Sequence, residues 1–175
     1  MPKISKKQQI EDEQKILAEL QKNSKKNIDM IAKDLGYSKQ KVSRIILQLE
    51  KNNKIWGYST IIDNEKQNLQ KFILFLKRSN KPFDKKDFND IVMTRLKQLY
   101  TNLGITIQNS YSIHGEYDCV IIFTAKDIIQ ARKFCDLLMD RYSKNTKKIH
   151  LSQILFTLRE HYILNPEPMK MKDFL

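Results

Sequence analysis

The chain has 175 residues and a mass of 20.8 kDa, room for one mid-sized domain or two small ones. It carries 32 Lys+Arg against 20 Asp+Glu, a net charge of +12, and its 41% hydrophobic content supplies a core and excludes wholesale disorder. No apolar run reaches the roughly 18 residues of a membrane span, the N-terminus lacks a secretory signal's apolar stretch, and two cysteines exclude a disulfide scaffold or a four-cysteine zinc site.

The expected compartment is therefore a reducing cytoplasm, with no membrane partner. In chain order, residues 11–22 read as a first helix, with Ile16, Leu17 and Leu20 at helical spacing and Ile10 able to extend the stripe. After a polar break, Ile28, Ile31, Ala32 and Leu35 repeat as i, i+3, i+4, i+7, and Gly36 can end that helix in the left-handed conformation. Ser38 is a good N-cap for a third helix, which carries Val42, Ile45, Ile46 and Leu49 at the same spacing and ends at Asn52-Asn53. Two helices joined by Gly-Tyr-Ser have the spacing of a helix-turn-helix. Residues 54–62 then hold β-formers (Ile55, Trp56, Tyr58, Thr60, Ile61, Ile62) around Gly57, predicting a short β-ribbon that makes the winged form, with Trp56 packed on the wing.

Polar residues 63–68 form the predicted linker. Beyond it, residues 69–77 read as a strand and residues 85–102 as a helix capped by Asp84 and closed by Gly104. The apolar set of that helix is Phe88, Ile91, Val92, Leu96, Leu99 and Leu103. Residues 105–114 alternate as a half-buried strand, Gly115-Glu116-Tyr117 is a turn, and residues 118–124 form a buried strand. Residues 127–142 are a helix with Ile128, Ala131, Phe134, Cys135, Leu138 and Tyr142 inward, and residues 147–158 a last strand. The order β-α-β-β-α-β is the split-βαβ, ferredoxin-like arrangement. The expected fold class is thus α+β: a winged helix-turn-helix in residues 1–62, a linker in 63–68, a ferredoxin-like domain in 69–158 and a tail in 159–175.

Charge sharpens this reading. Residues 1–62 hold 13 basic and 7 acidic residues, and residues 38–54 carry Lys39, Lys41, Arg44, Lys51 and Lys54 against Glu50 alone. Such concentration on one element favours a nucleic-acid partner, because basic side chains displace the counterions of phosphates. The plain alternative is a lysine-rich solubilising surface.

One stretch reads Ile31-Ala32-x-x-Leu35-Gly36-x-Ser38-x-x-x-Val42-Ser43-Arg44-x-Ile46-x-x-Leu49-Glu50, then Ile55-x-Gly57-Tyr58, and a second reads Gly115-Glu116-Tyr117-Asp118 between two strands. In this order and separation they resemble the Lrp/AsnC family of feast/famine transcription regulators, over about residues 11–158. The chain departs from the family pattern at Ile45, where many members have arginine, at Asn53, where they have glycine, in a longer 79–103 segment and in its extended tail. The resemblance implies a RAM/ACT-like second domain, a homodimer or higher oligomer, double-stranded DNA as partner, and an amino acid or related small effector bound at a subunit interface near the second motif.

At 100° per residue, Gln40, Arg44, Leu47, Gln48 and Lys51 gather on the side of the third helix opposite its apolar stripe. Gln and Arg can read adenine and guanine edges in the major groove. Ser38, Lys39 and Ser43 lie near the helix start and can hold phosphate, with Lys54 at the wing touching backbone. Leu47 either meets a thymine methyl or packs on a neighbour. In the second motif, Gly115 allows a positive φ, backbone N–H groups beside Tyr117 can hold a carboxylate, and Asp118 can hold an ammonium or simply cap its own turn.

Cys119 and Cys135 read as core residues, and His114, His150 and His161 show no metal spacing. No nucleotide-binding glycine-rich loop, nucleophile elbow or zinc-protease helix is present, so neither catalytic residues nor a cofactor are expected. Two rival readings remain from the sequence. One is a haem-pathway (tetrapyrrole) decarboxylase, since some of these resemble the same two-domain family. The other is an architectural DNA-binding protein of low specificity.

Overall fold

The structure is a computed structural model that describes residues 5–82, 84–92 and 97–175. The chain divides into two compact units, Met1–Ile61 with Leu158–Lys170, and Ile62–Thr157 with Met171–Leu175.

In the N-terminal unit, α1 (Lys6–Lys22), α2 (Ile28–Leu35) and α3 (Lys39–Lys51) pack around Ile16, Leu20, Ile31, Ala32, Val42, Ile45 and Leu49. Each helix starts where a short polar side chain satisfies a free backbone donor: Ser5 accepts from the Gln8 N–H, Asn27 from Met30 and Ser38 from Lys41. Gly36, at φ 66°, closes α2, and the Tyr37 N–H returns to the Ala32 carbonyl at 2.8 Å. This turn aims α3 so that Val42, Ile45 and Leu49 are buried. At about 1.5–3 kcal/mol for each large apolar side chain, that stripe holds the helix in place. The first helix begins five residues before its predicted start, because Ser5 rather than the apolar stripe sets its end. Ile10 lies on the exposed side.

The β-ribbon predicted over residues 54–62 is not formed, and no ladder involves these residues. Their β-formers do not alternate between a buried and an open face: Trp56 is 95% exposed, and Tyr58, Ile61 and Ile62 are exposed as well. Trp56 therefore packs on no wing. A strand pair does occur in this unit, in the predicted tail, where β5 (Arg159–Glu160) and β6 (Ile163–Leu164) form a hairpin. His161 in its turn takes φ 49°.

In the second unit the elements run β1 (Gln70–Arg78), α4 (Lys85–Val92), α5 (Lys97–Asn102), β2 (Thr106–Ser112), β3 (Cys119–Ala125), α6 (Ile128–Arg141) and β4 (Thr146–Ile154). The sheet is antiparallel throughout, in the order β2-β3-β1-β4 that a split-βαβ chain gives. Phe72, Leu74 and Leu76 of β1 and Phe123 of β3 form the core with Ala131, Phe134 and Leu138 of α6. The Phe123 and Phe134 rings meet edge to face with centroids 4.9 Å apart. Alternation sends Ile73, Phe75 and Lys77 of β1, and Val120 and Ile122 of β3, to the opposite face.

Several predicted details change. The continuous helix over residues 85–102 crosses residues 93–96, which lie outside the described residues together with Leu96 and the side chains of Phe88, Val92 and Leu99. Ile91 of the same apolar set is exposed. Ile128, expected inward, is also exposed, because Asp127 caps α6 and its first turn clears the core. The alternation of β2 breaks at a register shift between Ile107 and Asn109, which leaves Tyr111 and Ile113 exposed. Strand β4 ends at Ile154, four residues short of its predicted end, and Phe156 beyond it stacks on Phe174 at 5.7 Å. Cys119 and Cys135 are half-buried against the core, and burial pushes the Cys135 thiol up to about 11.

Candidate nucleic-acid interface

The apolar stripe of α3 fixes which side chains face outward. Gln40, Arg44, Leu47, Gln48 and Lys51 are all exposed on one side, with Ser38 and Lys39 exposed at the helix start. Ser43 is half-buried between this face and the core. Leu47 is 62% exposed, so neighbours in the chain cover little of it. The Ser38 hydroxyl accepts the Lys41 N–H at 3.2 Å and keeps its own proton to donate. Glu50 accepts from the Tyr58 hydroxyl at 2.9 Å.

Two of the expected phosphate contacts are engaged within the chain. The Lys39 ammonium lies 2.7 Å from Asp29 of α2, and Lys54 lies 2.5 Å from Glu13 of α1. Both lysines are more than half exposed, so these pairs are weak and exchangeable with another anion. Arg44 and Lys51 have no acidic partner among the ion pairs of the described residues.

Beneath this face lies a polar cluster that sequence reasoning missed. Asp12 of α1 is 1% exposed. Its carboxylate accepts from the Tyr37 hydroxyl at 2.6 Å and from Gln8 at 3.2 Å, and the Lys41 ammonium lies 2.6 Å away. The same ammonium sits 3.7 Å over the Tyr37 ring. Burial opposes the Asp12 charge, but hydrogen bonds from Lys41, Tyr37 and Gln8 outweigh it and hold the carboxyl below its ordinary value. The bond to Asp12, aided by burial, pushes the Tyr37 phenol up to about 12. The cluster ties α1 to the first turn of α3. Its signal was present in the sequence: Asp12 stands four residues before Ile16 and eight before Leu20, a carboxylate inside the apolar stripe.

The second motif is built differently. Gly115 takes φ 149°, a backbone conformation that side chains rarely adopt. Tyr117 is half-buried, its ring 5.3 Å from Phe75 and 6.3 Å from His150. Asp118 caps the end of β1 rather than its own turn: it accepts the Arg78 N–H at 2.8 Å and lies 3.5 Å from the Lys77 ammonium. The bond from Arg78, aided by the lysine, holds this carboxyl below its ordinary value. Among the described residues no group of three or more His, Cys, Asp or Glu is placed to hold a metal ion, and no helix is long and apolar enough to cross a membrane.

Residues 13–55 match the family of winged helix-turn-helix DNA-binding segments. A search of curated protein sequences gave no match. Solved structures of similar fold include the transcriptional regulator NMB0573 of Neisseria meningitidis in complex with L-Met, at TM-score 0.67 and 18% identity over 90% of this chain and 96% of that one. An AsnC family transcriptional regulator from Agrobacterium tumefaciens matches at TM-score 0.63 and 16% identity, over 90% and 97%. LrpC of B. subtilis matches at 0.60 and 19%, over 84% and 94%. The α+β architecture of the chain, a helix-turn-helix followed by a four-stranded βαββαβ unit, is thus the fold of the Lrp/AsnC regulators.

Proposed function

We propose that this chain is a DNA-binding transcription regulator of Lrp/AsnC type. The observation that carries the reading is the outer face of α3, where Gln40, Arg44, Gln48 and Lys51 stand exposed on a helix pinned from behind by its apolar stripe. In the major groove, Arg44 and the two glutamines read base edges, with Leu47 placed for a thymine methyl. Ser38, Lys39, Ser43, Lys51 and Lys54 hold phosphates and set the register. Residues 1–62 act as the DNA-binding part and residues 69–158 as the assembly and sensing part. Titration of labelled duplexes, selected and random, over a series of salt concentrations tests this. A selected site bound no tighter than random DNA at every salt concentration refutes sequence-specific regulation.

The low-specificity alternative draws on lysine supplying 26 of the 32 basic residues, and the same titration separates it by the ratio of the two affinities. Self-association follows from the sheet. Ile73, Phe75, Val120 and Ile122 lie on the face away from the core helices, and a two-fold pairing of such faces covers both with one surface. The turn at Gly115, Tyr117 and Asp118 is the proposed effector site. Support comes from the L-Met complex of the Neisseria protein, whose fold is similar.

A further inference from the structure

Trp56 is the one tryptophan of the chain, and it stands 95% exposed. A ring of this kind buries about 150–250 Å² when it has a partner. Its exposure is not that of a loose loop, because the backbone is held on both sides of it. Before it, the Lys54 and Ile55 N–H groups donate to the Leu49 carbonyl at 2.9 and 3.2 Å, and the Ile55 side chain packs against the core of the N-terminal unit. After it, the Tyr58 hydroxyl donates to Glu50 of α3 at 2.9 Å. The ring is thus presented beside the last turn of α3, with almost nothing of the chain laid over it.

Gly57, the next residue, points the same way. It has no positive φ that calls for glycine, and a side-chain carbon at this position would meet nothing within 4 Å. Neither conformation nor packing within the chain requires the glycine. Beside the ring, it keeps the backbone low enough for an outside surface to come close.

The charges around the ring select the kind of surface. Lys51 and Lys54 precede it and are both exposed, and the pair of Lys54 with Glu13 is exchangeable. Glu50, the acid nearest in sequence, is engaged by Tyr58. An apolar plate set among cations suits a polyanion that carries apolar surface close to its charges. Duplex DNA is such a partner, since the sugars and base edges of its grooves lie between rows of phosphates. A second copy of this chain suits the patch less, because a two-fold pairing would bring these lysines against their own kind.

We propose that Trp56 is a DNA contact outside the outer face of α3. Its ring packs on sugars and base edges at the flank of the site that α3 reads, while Lys51 and Lys54 hold neighbouring phosphates. The proposal rests on the reading of the chain as a DNA-binding protein and adds to it a contact that carries no charge.

Selectively excited tryptophan fluorescence tests it, because the signal of the full chain comes from this ring alone. In the free chain at micromolar concentration, acrylamide should quench the ring as it quenches an open indole. Saturation with duplex, followed separately by the anisotropy of a labelled strand, should at least halve the quenching constant. Trp56→Ala removes an exposed side chain and should leave the circular dichroism of the chain unchanged. It should weaken selected and random duplexes by roughly fivefold or more, with Trp56→Phe recovering part of the loss. The slope of log affinity against log salt should stay as in the parent, since an indole displaces no counterions, whereas Lys51→Ala lowers it. Duplex binding with unchanged acrylamide quenching, or parental affinity in Trp56→Ala, overturns the proposal while the DNA-binding reading stands. A ring already shielded in the free chain and opened by dilution assigns Trp56 to an interface between copies and also overturns it. Absence of binding to either duplex overturns both.

Discussion

The buried Asp12 carboxylate gives a sharp test of how the third helix is held. Asp12→Asn keeps the shape and one acceptor for Tyr37 but leaves the Lys41 ammonium without its counter-charge. Breaking a fully buried pair costs about 3–5 kcal/mol. The Lys41 side chain is 25% exposed and can turn partly to water, so the expected loss is about 2–3 kcal/mol in the N-terminal unit. Lys41→Met is expected to cost more, about 3–5 kcal/mol, since the side chain of Asp12 is only 2% exposed and its charge cannot escape. The chain has two units, so a single unfolding free energy is not a defined quantity, and the measurement must be local. Hydrogen exchange of the α1–α3 amides supplies it: Asp12→Asn should speed exchange through unit opening by roughly 30- to 150-fold. The difference from the parent should also depend on pH. The folded carboxyl is held below its ordinary value of 3.8, so the charged form stabilises the fold above that pH. The contribution falls away as pH drops through the lower folded value, and parent and variant should converge there. Exchange within about 0.5 kcal/mol of the parent near neutral pH, or a milder effect of Lys41→Met, refutes the assignment of the cluster as a clamp.

Three further expectations concern the proposed function. Arg44→Ala should cost roughly 1–3 kcal/mol on the preferred duplex and flatten discrimination between sites, and an unchanged ratio of specific to random binding denies it base readout. Lys51→Ala should reduce the slope of log affinity against log salt by about 1, and Lys54→Ala by less, because Lys54 must first leave Glu13. Light scattering of the full chain at micromolar concentration should give at least a dimer, and a monomer sinks both the paired sheets and the expectation of two half-sites spaced about 34 Å or a multiple apart.

Much of the fold was legible because it depends on two periods. Val42, Ile45, Ile46 and Leu49 repeat at helical spacing, and Phe72, Leu74 and Leu76 at strand spacing, and each set reaches the core as expected. The cap Ser38 marked the start of the third helix, where the residue alone carries the physics. What failed was propensity without a partner. The β-formers of residues 54–62 stay unpaired because a strand exists only through a ladder, and a single sequence does not say which segment supplies it. The shift in β2 at Ile107 was invisible for a related reason, since a bulge is a property of two strands in register.

The candidate interface was legible to a different depth at each of its levels. The outward set on α3 follows from helix geometry once the inward stripe is known, so Gln40, Arg44, Leu47, Gln48 and Lys51 were found together. The state of each lysine was not legible, because it depends on acids far away in sequence: Glu13 for Lys54, Asp29 for Lys39 and Asp12 for Lys41. The consequence is a graded surface rather than a uniform one. Lys41 is held in a buried pair and belongs to the scaffold, Lys39 and Lys54 hold weak exposed pairs that a phosphate can replace, and Arg44 and Lys51 stand ready without exchange. Counterion release then comes from a subset of the basic residues, and the salt dependence of DNA binding should follow that subset rather than the net charge of +12.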